Sequence, residues 1–132
     1  MEPDPARQNP FPLKDEEAEH PIAAAWRPIL HEIVRALGRG DYQLAGGIES
    51  VEPVSEGTAR HIRSYLDSYG ATLVDLTEET WQTSVARWMG SHWEALVDLR
   101  TAEEGRSDLV LGVGIRESEP GFSFKVRMVY VP

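Results

Sequence analysis

The sequence predicts an α+β protein: two N-terminal helices packed on one face of an antiparallel sheet of about four strands, a two-layer sandwich. Two observations carry this expectation. Apolar residues recur at helical spacing through the first half of the chain, and in the last third they alternate in strands separated by turn residues. The 132 residues, 41% of them hydrophobic and 27% charged, suffice for one hydrophobic core and lie far from the composition of disorder.

The first helix is marked by Trp26, Ile29, Leu30, Ile33, Val34 and Leu37, at offsets 0, 3, 4, 7, 8 and 11. Pro28 belongs in its first turn, with Ala23, Ala24 and Ala25 as a kinked extension, and Gly38 and Gly40 stop it. A turn-rich stretch follows, anchored by Tyr42, Leu44 and Ile48. Ser55 is the expected N-cap of the second helix, whose stripe is Ala59, Ile62, Leu66 and Tyr69, with Tyr65 beside it and Gly70 as its end.

After Gly70 the period changes. Leu73, Val74 and Leu76 suggest a short edge strand. Trp81, Thr83 and Val85 alternate with polar or small residues as a half-buried strand should, and a helix over 78–89 competes with that reading. Gly90-Ser91 turns the chain into a strand over 93–99. Leu109, Leu111, Val113 and Ile115 then share one strand face, as do Phe122, Phe124, Val126, Met128 and Tyr130, with Glu119-Pro120-Gly121 as a hairpin loop longer than two residues.

Residues 1–20 hold Pro3, Pro5, Pro10 and Pro12 among acids and are expected to form a disordered or loosely docked tail, leaving 21–132 as the single α+β domain. Of the formal charge of −9, that tail supplies −4, from six acids against Arg7 and Lys14, and the body −5. An acidic balance disfavours nucleic acid, so no nucleic-acid partner is expected. The absence of cysteine excludes disulfides, thiolate zinc sites, iron–sulfur clusters and a cysteine nucleophile. With no run of eighteen apolar residues and no apolar core in the first twenty, the chain is expected to be cytoplasmic and to have no membrane partner.

Chemistry-bearing residues are sparse in recognisable pattern. His20, His31, His61 and His92 show no helical pair spacing for a metal, no nucleophile elbow or phosphate loop is present, and Gly112-Val113-Gly114 lies inside a strand, where it signals a bulge or close packing. No catalytic residue, metal ligand or cofactor is assigned. The most charged segment runs from Asp98 through Arg100, Thr101, Glu103, Glu104, Arg106 and Ser107 to Asp108, and reads as a loop. Its acids could serve as a base or hold a cation, or its charges could simply pair with one another. Three of the four tryptophans, Trp81, Trp88 and Trp93, crowd within thirteen positions. Alternation from Trp81 turns Trp88 to the opposite face as a contact residue, unless a bulge returns it to the core.

The run Trp81-Gln82-Thr83-Ser84, the sequence Leu96-Val97-Asp98-Leu99, the segment Glu104-Gly105-Arg106-Ser107-Asp108-Leu109-Val110-Leu111 and the terminal Val129-Tyr130-Val131-Pro132, with Tyr69-Gly70 ahead of them, resemble an uncharacterised family of small bacterial proteins, a domain of unknown function. The resemblance spans residues 26–132. It implies a bacterial, cytoplasmic, single-domain protein and carries no catalytic residue with it.

The expected function is non-enzymatic protein binding, of an immunity or regulatory kind, through Trp88, Arg87, Arg100, Glu103, Glu104, Arg106 and Asp108. A homodimer through the last strand, over 122–131, is a further expected association. The alternative is a small-ligand-binding protein or enzyme in which the sheet curls around the first helix as a cystatin-like cone with an apolar pocket, and Tyr42, His31 or Asp98 supply reactive groups.

Overall fold

In the computed structural model, which describes residues 11–132, the first apolar stripe forms α1 (Arg27–Gly38), entered through a single 3-10 turn, Ala24–Trp26. Pro28 sits in the first turn, where no helical N–H is required of it. The second stripe forms α2 (Glu56–Tyr69). Ser55 caps it by accepting the Thr58 N–H at 3.2 Å, and Gly70 ends it at φ +77°, a left-handed conformation that costs glycine little.

The sheet has five antiparallel strands in chain order: β1 (His20–Pro21), β2 (Val85–Trp88), β3 (Trp93–Thr101), β4 (Gly105–Ser118) and β5 (Gly121–Tyr130). The strand beyond the expected four is β1, which pairs His20 with Ala86 and Pro21 with Val85. Proline suits this outermost position, since it has no N–H to offer a further strand.

Other boundaries differ from the sequence expectation for identifiable reasons. No strand begins at Trp81. Residues Glu78–Gln82 form a 3-10 turn, and β2 starts only at Val85. Three hydroxyls hold that turn against β3: Thr80 donates to the Asp98 carbonyl, Thr83 to the Asp98 carboxylate, and Ser84 accepts the Asp98 N–H at 2.9 Å. A hydroxyl that can satisfy a backbone group or a carboxylate competes with regular strand pairing. Leu73 contributes a single antiparallel bridge to Thr101 rather than an edge strand. The loop before β5 is two residues long, Glu119 and Pro120, joined by a cis peptide.

The charged stretch expected as a loop is almost entirely strand, with only residues 102–104 between β3 and β4. Along β3, Trp93, Ala95, Val97, Leu99 and Thr101 are buried, while Glu94, Leu96, Asp98 and Arg100 are only partly so. Its apolar members, Trp93, Ala95, Val97 and Leu99, join Leu109, Leu111, Val113 and Ile115 of β4, the stripe of α1 and Ala59, Ile62 and Leu66 of α2 in one apolar cluster. Charges at alternate positions are therefore compatible with a strand that buries one face.

The β4–β5 pairing shifts register between Gly112 and Val113, with Arg127 as the extra residue on β5. The bulge reverses the expected direction of the last residues, because each residue inserted into a strand flips the pattern beyond it. Val129 is fully buried, while Met128 and Tyr130 leave the face shared by Phe124 and Val126.

The β5 edge of the sheet is partly occupied. Next to β5, residues 50–52 exchange two hydrogen bonds with Phe124 at 2.9 Å each, and the Tyr65 hydroxyl accepts the Val131 N–H at 3.1 Å. A second copy pairing along this edge would meet those contacts first. Among the described residues, no helix is long and apolar enough to cross a membrane.

Candidate functional site

The residues singled out from the sequence fall at the two opposite ends of β3, separated by about 20 Å of extended chain. They do not form one site. At the first end stand Trp88 and Arg87; at the other, Arg100, Glu103, Glu104, Arg106 and Asp108.

Trp88 is the cross-strand partner of Trp93, so the two indoles share the helix-side face, their ring centroids 4.7 Å apart. The 3-10 turn breaks the alternation counted from Trp81, and Trp88 is half-buried rather than presented on the opposite face. The segment preceding β1 lies over this end. The Trp93 indole N–H donates to the Leu13 carbonyl at 3.0 Å, the Lys14 ammonium sits 5.2 Å from the Trp88 ring centre and 2.6 Å from the Glu117 carboxylate, and Arg87 donates two N–H groups to the Glu16 carbonyl at 3.2 and 2.8 Å. Asp15 accepts from His20 and from the Glu17 N–H, each at 2.9 Å, and these bonds hold its carboxyl below the ordinary 3.8. The expected tail spans 1–20: residues 1–10 lie outside the described residues, and Leu13, Lys14, Glu16 and His20 touch the sheet.

At the far end every loop acid but one has a structural hydrogen bond. Glu103 accepts the Thr72 N–H at 2.8 Å, which lowers its carboxyl from 4.5, and Glu104 accepts the Tyr69 hydroxyl at 2.6 Å, which raises that phenol above 10. Asp98 is held by Thr83; Asp108, whose N–H lies 3.4 Å from the Tyr69 oxygen, keeps an exposed carboxylate. Ser107 spans the irregularity where β3 and β4 lose register beyond Asp98, donating to the Leu99 carbonyl at 2.8 Å and accepting the Leu109 N–H at 3.2 Å. The Glu-Gly-Arg-Ser-Asp-Leu segment is thus a turn plus a stapled bulge.

Hydrogen bonds therefore organise this end as expected for a charged turn, but its charges do not pair with one another. Among the described residues, neither Arg100 nor Arg106 has a carboxylate within 4.0 Å. The two arginines are direct cross-strand partners. They line a cleft of about 80 Å³ with Glu79, Thr80, Gln82, Thr83, Asp98 and Leu99.

Sequence reasoning missed the middle of the sheet's second face. Leu96, Val110, Met128 and Tyr130 lie there on three adjacent strands. Arg127 crosses it, its guanidinium 3.3 Å from Glu94, which also meets His92 Nε2 at 2.8 Å. Gly114 makes the crossing possible, since a Cβ at that position would lie 2.7 Å from the Arg127 guanidinium. The signal available was alternation itself: positions between the buried residues of each strand must project from the other face.

The residues considered for an apolar pocket are not brought together. Tyr42 lies beside the loop ordered by Asp41, whose carboxylate accepts the Ala45 and Gly46 N–H groups, while Asp98 projects from the second sheet face. His31 meets Trp81 edge-on at 5.5 Å. Against the sheet's helix side, Trp26 contacts Trp93 and Phe122 edge-on at 5.2 and 5.6 Å, filling space that a cone would leave for a ligand. Among the described residues no group of three His, Asp or Glu is placed to hold a metal ion.

Residues 34–132 match the family described as Domain of unknown function (DUF7668), and the chain belongs to it. No curated protein and no solved structure matches the chain significantly.

Proposed function

We propose that this member of an uncharacterised family is a non-enzymatic binding domain whose partner is a protein of acidic surface, docking on the sheet face turned away from both helices. The observation that carries the reading is the contrast in charge and cover between that face and the rest of the molecule. Five cationic side chains belong to it beside the engaged Arg87 (Arg100, Arg106, Arg116, Lys125 and Arg127), against Glu79, Glu94, Asp98 and Asp108, a local excess of positive charge on a chain of formal charge −9. Partly buried apolar groups, Leu96 and Tyr130, lie among them outside the helix-side core, with Met128, which also packs against that core, beside them. An apolar centre with an arginine-rich rim is the composition of an interface, and local charge of the opposite sign steers an acidic partner toward it.

The reading shifts the expected surface from Trp88 toward the sheet's centre, keeping Arg100 and Arg106 within it. A regulatory or immunity role in a bacterial cytoplasm fits a small domain that acts by occupying another protein.

A photo-crosslinking residue placed at Leu96 or Met128 tests it, with placement at Arg60 on α2 as the comparison. Crosslinks to one acidic protein from the sheet positions alone are expected, and should disappear in a Leu96→Glu, Met128→Glu double variant whose circular dichroism is unchanged. Equal crosslinking from Arg60 would defeat the assignment of the face.

A further inference from the structure

We propose that Arg100 and Arg106 form a binding site for an oxyanion, a phosphate or carboxylate group held between two guanidinium forks. The inference concerns the same face as the docking surface but does not rest on it, because a small anion alone suffices to occupy the site.

The register places the two residues directly opposite each other on β3 and β4. Like charges in that relation are destabilising unless something of opposite sign lies between them. Four acids are near in sequence and Glu79 lines the same cleft, yet among the described residues none of these carboxylates comes within 4.0 Å of either guanidinium. Glu103 and Glu104 turn to Thr72 and Tyr69, and Asp98 takes the Thr83 hydroxyl.

The local backbone favours the geometry. Gly105 turns the chain at φ +72°, and the Arg100 guanidinium lies 3.6 Å from where a Cβ on that glycine would stand, so the turn brings the side chain back over the β3–β4 connection. Gln82, which also lines the cleft, can add an amide donor. Planar forks with several N–H donors match tetrahedral and planar oxyanions, and an anion there neutralises a repulsion that the fold otherwise carries.

The test follows the arginine Nε–Hε resonances of the full-length ¹⁵N-labelled protein during titration with inorganic phosphate at constant ionic strength. Those of Arg100 and Arg106 should shift together and saturate at millimolar phosphate, while Arg35 and Arg60, which face Asp75 and Glu56, should not. A parallel titration with acetate separates the two sources. Saturation by both anions assigns a general carboxylate and phosphate site, and saturation by phosphate alone assigns a phosphate site.

Arg106→Gln should abolish saturation at Arg100 and raise Tm by about 1 to 3 °C, since it removes a like-charge pair. Proportional shifts at all exposed arginines, or a fall in Tm in Arg106→Gln, would overturn the site.

Discussion

The two ends of β3 begin from similar material, large side chains amid charges, and arrive at opposite states. At Trp93 the groups are spent on structure: the indole is buried against Trp26, Trp88 and Phe122, its N–H is taken by Leu13, and Arg87 is taken by Glu16. At Arg100 the acids except Asp108 are engaged, while among the described residues neither guanidinium has a carboxylate within 4.0 Å. An aromatic ring gains from burial in any apolar surround, whereas a guanidinium must find a partner or remain in water. Chemical richness in a sequence is therefore a poor pointer to a site, and the residue left without a partner is a better one.

Breaking the Trp93 end should have the largest effect. Trp93→Ala removes a side chain only 2% exposed at the centre of the aromatic cluster, and should cost about 3 to 5 kcal/mol by urea unfolding. Arg100→Ala should change stability by less than about 0.5 kcal/mol, the usual range for surface sites. Similar costs at both ends would erase the contrast.

Ser107→Ala sits between these extremes. Its hydroxyl joins the Leu99 carbonyl to the Leu109 N–H in a buried setting, and losing both bonds should cost about 1 to 3 kcal/mol with the native near-ultraviolet spectrum retained. A neutral result would mean that the bulge needs no staple.

The smallest effect is local and depends on pH. The Asp15 carboxyl is depressed in the folded chain, chiefly by its bond to His20 and then by the Glu17 N–H. Its contribution is present above the unfolded value near 3.8 and is lost as pH falls through the lower folded value. Tryptophan emission should therefore change below pH about 4, as residues 13–20 leave Trp88 and Trp93, and Asp15→Asn should lack that step. An identical acid transition in the variant would show that other carboxylates hold the segment.

Much of this architecture was legible. Both helices, the Ser55 and Gly70 caps of α2, the strand over 93–99 and the buried face of β4 through Ile115 follow from spacing within a dozen residues, whereas α1 runs through Gly38 to a C-cap at Arg39. The candidate site was half legible: Arg100 and Arg106 stood out as charges, but their strand pairing did not, because a charge-rich stretch resembles a loop until one knows that its alternate residues reach solvent. Trp88 was misleading for a related reason, since its face depends on where β2 begins.

Sequence alone determined the helical stripes, the absence of thiol chemistry and the division into helices followed by strands, because periodicity and composition are local properties that each segment carries regardless of its neighbours. Tertiary structure decided where β2 starts, which way Met128 and Tyr130 face, that His20 and Pro21 complete the sheet, and that two arginines stand opposite each other with, among the described residues, no carboxylate within 4.0 Å. Each of these is settled by pairing between residues far apart in the chain: hydroxyls from 80–84 on Asp98, Arg127 across Gly114, Glu16 on Arg87. Pairing of that kind has no period to read, because it depends on which backbone and side-chain groups the folded core has already left unsatisfied.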